Sequence, residues 1–106
     1  KPEYGGECRY KVNLFIGDEL VPDKQMEDSK EWHGNPLSKQ VRLGFHKVEL
    51  DDEGDEDWEY NHAYFAPSDL KKIEGEGNVY VFTNEKGLKA VLTKVKEKTY
   101  NYYEAF

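Results

Sequence analysis

Seven carboxylates crowd into nine residues: Asp51, Asp52, Glu53, Asp55, Glu56, Asp57 and Glu59 stand together with no basic residue among them. Charges this close repel one another and resist burial unless each is paired. The run is therefore a solvated loop or strand end. Trp58 and Tyr60 fall inside and just after it, so an apolar surface adjoins a strong negative field. Acids of this kind speed encounter with a basic surface, and large aromatic rings hold the complex once formed. Catalysis by paired carboxylates would need one of them desolvated, and this run is too polar for that. A calcium-binding EF-hand loop places Gly sixth and Glu twelfth. Here Gly54 comes fourth, counting from Asp51, which excludes it.

Other reactive side chains are scattered. His33, His46 and His62 lie too far apart for a zinc motif, and Cys8 is the only thiol. Pairing of the strands around His46 and His62 would bring those two near each other at the end away from the acidic run. Ser29, Ser38 and Ser68 stand in no recognisable nucleophile context. Gly75 and Gly77 lead into a strand and not a helix, so they build no phosphate cradle. The expectation is a binding protein without catalytic residues, cofactor or metal.

A second candidate surface lies near the end of the chain. Lys89, Lys94, Lys96 and Lys98 precede Tyr100, Tyr102 and Tyr103. Basic strands beside aromatic rings can track single-stranded nucleic acid. Lysines on an edge strand also serve simply to block sheet-to-sheet pairing.

The composition favours the acidic surface. The 106 residues carry 22 acids against 15 bases, for a net charge of −7. Without the run at 51–59 the remaining acids and bases balance, so the whole excess sits in one segment. That field discourages nucleic acid and anionic membrane and favours a basic protein partner. The length predicts a single domain spanning 1–106, and 14% aromatic residues supply core material. No apolar run reaches membrane-spanning length. An unpaired cysteine, no visible targeting segment and no Asn-x-Ser/Thr acceptor point to a cytoplasmic protein.

These residues need strands to position them. Cys8, Tyr10, Val12, Leu14 and Ile16 sit at every second position with Arg9, Lys11 and Asn13 between them, and predict a strand ending at Gly17-Asp18. Residues 18–39 are poor in apolar side chains and read as a long irregular connection with one helical turn near Asp23–Lys30. A second strand is expected from Gln40 to Leu50. Its apolar residues change parity between Phe45 and Val48, which predicts a bulge or a bend at Gly44. A third strand, Asp57–Phe65, should pair with it across a turn at Asp51–Glu56. Ser68 or Asp69 is expected to cap a helical turn over Leu70–Ile73. Val79–Thr83 and Leu88–Val95 predict a hairpin closed by Asn84-Glu85-Lys86-Gly87, with Gly87 left-handed. Thr99–Phe106 reads as a last strand.

Short strands joined by tight turns predict an all-β or β-rich α+β fold, a small bent antiparallel sheet or a partly open barrel. In strand count, and in carrying a short turn before the late hairpin, residues 40–95 resemble an SH3-like barrel. The functional expectation is a small acidic interaction or inhibitor protein. Asp51, Asp52, Glu53, Asp55, Glu56 and Asp57 would supply the charge, and Trp58 and Tyr60 the anchor. In strategy this is similar to viral and plasmid inhibitors that set carboxylates where nucleic-acid phosphates would sit. The alternative is an SH3-like module that binds peptide or single-stranded nucleic acid through the lysine and tyrosine face.

Overall fold

The computed structural model describes residues 8–95 and is built from antiparallel strands. They are β1 (Cys8–Ile16), β2 (Glu19–Leu20), β3 (Glu31–Gly34), β4 (Val41–Leu50), β5 (Glu56–Phe65), β6 (Leu70–Glu74), β7 (Val79–Thr83) and β8 (Leu88–Lys94). Single 3-10 turns at Asp23–Gln25, Asp28–Lys30 and Pro67–Asp69 are the helical structure among these residues. One sheet runs β2-β1-β8-β7-β6, with β3 also on β1, and β4 and β5 form a separate hairpin. The sheets do not close on each other, so the fold is an open all-β arrangement.

The alternation in β1 does what its pattern dictates. Tyr10, Val12 and Leu14 are buried, and they line one face with Ala90 and Leu92 of β8 and Tyr80 and Phe82 of β7. Against that face lies one side of the hairpin: Val41, Leu43 and Phe45 from β4, Ala63 and Phe65 from β5. Phe65 and Phe82 join the two layers, their ring centroids 6.1 Å apart. Burial pushes the Tyr10 hydroxyl pKa well above its usual range, helped by the neighbouring Tyr80 and Cys8.

Three expectations need correction. Residues 18–39 are more ordered than their composition predicts. β2 and β3 both pair with the same edge of β1, Phe15 with Leu20 and Tyr10 with Trp32, while Met26 bridges to Phe45 of β4. The segment is a broken edge strand, too short in each piece to show a period. Secondly, β4 has neither bulge nor bend. Its register with β5 runs unbroken from Val41↔Phe65 to Leu50↔Glu56. The apolar residues change parity because the core ends at Phe45, and beyond it Val48 and Leu50 belong to the opposite face. Thirdly, Leu70–Ile73 is strand, and the helical turn falls one step earlier at Pro67–Asp69. Neither Ser68 nor Asp69 is its N-cap: Ala66 holds that position, and Asp69, the last residue of the turn, reaches back so that its carboxylate accepts the Ala66 N–H at 2.8 Å. The expected strand at Thr99–Phe106 lies outside the described residues.

Ten-residue strands rise about 33 Å, and only the lower half of β4–β5 rests on the core. Truncating a fully buried ring leaves a cavity as well as losing apolar contact. Phe45→Ala should cost about 3–5 kcal/mol in urea denaturation. Leu50→Ala, at a side chain 70% exposed, should stay within about 0.5 kcal/mol. Equal losses would contradict a core that stops partway up the hairpin.

Candidate functional site

The upper half of the hairpin has two unlike faces. On the face continuing the core side, every residue is charged or amide-bearing. Lys47 stands opposite Glu59, and Glu49 opposite Asp57, a like-charged pair. The other face is a ladder of rings. Trp58, Tyr60, His62 and Tyr64 follow at every second position of β5, facing Val48, His46, Gly44 and Arg42 of β4. Consecutive rings touch: His46 lies 5.5 Å from Trp58 and 5.2 Å from Tyr60, and His62 lies 4.7 Å from Tyr60 and 5.8 Å from Tyr64. Gly44 makes this packing possible. A Cβ there would stand 2.3 Å from the Tyr60 hydroxyl, so the ring lies across the bare backbone. Even so, the ladder meets solvent: Trp58 is 41%, Tyr60 49% and Tyr64 47% exposed.

The acidic run caps this ladder. Asp51 to Asp55 form the hairpin turn, and they are built like the turn at Asn84–Leu88. Asp51 Oδ1 accepts the N–H groups of Glu53 and Asp55 at 2.9 and 2.8 Å. Asn84 Oδ1 accepts those of Lys86 and Leu88 at 3.0 and 3.1 Å. Gly54 and Gly87 occupy matching left-handed positions, at φ 84° and 80°. Asp51 is thus a structural acid, whereas Asp52, Glu53 and Asp55 point their charge outward without an ion pair among the described residues. Glu56 lies on the ladder face and accepts the Trp58 indole N–H at 3.1 Å. Asp57 projects from the charged face. Every residue from Asp51 to Tyr60 is exposed.

The two edges of the hairpin differ as well. Along β4 the chain at Gln25–Glu27 closes the edge: the Glu27 N–H donates to the Gly44 carbonyl and Gln25 Nε2 to the His46 carbonyl. Along β5 the only comparable contact among the described residues is Asn84 Nδ2 to the Tyr64 carbonyl, at 3.0 Å. Antiparallel bonding alternates, and the Asp51 N–H donates to the Asp55 carbonyl. The backbone groups of Glu56, Trp58, Tyr60 and His62 therefore point away from β4, toward no other strand among the described residues. A cleft of about 140 Å³ marks the lower end of this edge, lined by His62, Tyr64, Asp69 and Asn84. There the buried His62 Nε2 has no hydrogen-bond partner among the described residues.

The alternative surface does not assemble as one face from the residues described. Lys89 and Lys94 differ in parity along β8 and project from opposite sides of the sheet. Lys89 Nζ sits 4.6 Å above the Phe15 ring. Lys96, Lys98, Tyr100, Tyr102 and Tyr103 lie outside the described residues. His46 and His62 do share a face, as their strand pairing predicts. No group of three His, Cys, Asp or Glu side chains among the described residues is arranged to hold a metal ion. No described helix is long and apolar enough to cross a membrane.

Sequence reading found Trp58, Tyr60 and the acids. It missed His62, Tyr64, His46 and Val48 as parts of the same surface. The signal was present, since Trp58, Tyr60, His62 and Tyr64 recur with a period of two. The chain matches no family model, no curated protein and no solved structure.

The two roles assigned to neighbouring acids separate by mutation. Asp51→Ala removes the acceptor for two turn N–H groups and should cost about 1 kcal/mol in chemical denaturation. Asp52→Ala, which removes only a repelling charge, should be neutral or slightly stabilising. The reverse order would contradict the turn geometry.

Proposed function

We propose that the protein acts by binding, with the β4–β5 hairpin as an acidic, aromatic-faced probe for a basic protein surface. The observation that carries this reading is the junction at the hairpin tip. Unpaired carboxylates at Asp52, Glu53, Asp55 and Asp57 adjoin the exposed rings of Trp58 and Tyr60. The carboxylates steer a basic partner into encounter, and the rings lose water on contact. A solvated turn needs no such rings, and Trp and Tyr are the side chains enriched where interfaces bind most strongly. Inhibition follows where the partner's basic surface serves nucleic acid, because the hairpin then occupies the place of phosphates.

The acids not used by the turn allow a clean test. Asp52→Lys, Asp55→Lys and Asp57→Lys together leave Asp51 in place, and the last sets a lysine opposite Glu49. The variant should be at least as stable as the wild type. In a nuclease-treated pull-down from host extract, a basic protein should be retained by wild type. It should be lost, with at least about tenfold weaker binding at low salt, from both the triple variant and Trp58→Ala/Tyr60→Ala. Affinity unchanged by charge reversal would contradict the reading.

A further inference from the structure

We infer that the open edge of β5 takes up an extended, basic segment of the partner as an added antiparallel strand. This rests on the reading of the hairpin as the binding element and specifies its mode. The backbone groups of Glu56, Trp58, Tyr60 and His62 face outward along this edge, and a strand laid beside them would satisfy them in register. Residues paired across an antiparallel ladder share a face. Partner residues hydrogen-bonded to Trp58, Tyr60 and His62 therefore lie against the ring ladder. The residues between them lie beside Asp57 and Glu59. The fitting segment alternates apolar residues with lysine or arginine.

Charge selects this occupant over the others. A second copy would bring its own acids from Glu49 to Glu59 alongside these, and strands so charged repel. Nucleic acid is repelled by the same field. The edge is closed to its own kind and open to a basic strand. The outer edge of β6 offers no equivalent, being five residues long, interrupted between Leu70 and Lys72, and itself basic at Lys71 and Lys72.

The test uses the full chain and a decapeptide of alternating lysine and valine as the probe. It is compared with two versions of equal charge, one N-methylated at every valine amide and one at every lysine amide. In the inferred register the valine amides face β5 and the lysine amides face solvent. Binding measured by calorimetry at low salt should be similar for the unmodified and lysine-methylated peptides. It should fall at least about tenfold for the valine-methylated one. Equal binding by all three overturns strand addition while leaving the acidic hairpin as a binding element. Loss on lysine methylation overturns the antiparallel register. Failure of all three overturns the inference, and the pull-down then decides the broader reading alone. A dimer of the chain at sedimentation equilibrium in which the Trp58, Tyr60 and His62 N–H groups are protected from exchange overturns it too, since the edge would then be filled by a second copy.

Discussion

A strand can bury a face only as far as there is something to bury it against. In this protein the opposing sheet ends below the middle of the β4–β5 hairpin, level with Phe45 and Asn61. Everything distinctive about the molecule follows from that limit. Above it the core-side face turns from Val41, Leu43 and Phe45 to Lys47 and Glu49, because solvent now covers it. The other face, with no second sheet packed on it in the described structure, carries rings that stack along the strand and stay half exposed. The turn at the top can hold acid after acid because each is exposed to water.

The arrangement makes two opposing demands compatible. Exposed aromatic strands with an open edge invite association with any other strand, including copies of the same chain. Concentrated like charge removes that hazard for most partners and leaves it for one class, those of opposite sign. The acids therefore set which contact the rings can make. Stability is supplied elsewhere, by the layer of Leu14, Phe82, Leu92 and Phe65, so the tip is free to carry unfavourable pairs such as Glu49 opposite Asp57. The one acid that cannot vary freely is Asp51, whose carboxylate holds the turn.

How much of this was legible follows the physics of each element. β1 and the β7–β8 hairpin were readable because each carries its own evidence: alternation from Cys8 to Leu14 in one, two β-branched runs around Asn84-Glu85-Lys86-Gly87 in the other. β2 and β3 were not, since two- and four-residue edge strands show no period and exist through their pairing with β1. The parity change in β4 was visible but ambiguous. A bulge and a core that stops produce the same string of letters, and only the opposing layer distinguishes them. For the site, charge and aromatic content were plain in the sequence. The inclusion of His46, Val48 and Gly44 depends on cross-strand register, and the open edge of β5 depends on what the other described residues leave uncovered.

Binding through the hairpin by strand addition needs that edge to be open in the free protein, and amide hydrogen exchange resolved by residue measures it directly. N–H groups of Glu59 and Asn61 are bonded across to β4, whereas those of Trp58, Tyr60 and His62 face outward. Exchange should alternate along β5, with Glu59 and Asn61 about tenfold or more slower than Trp58, Tyr60 and His62. Uniform protection from Trp58 to His62 would mean the edge is already covered, and would contradict the hairpin as an open binding strand.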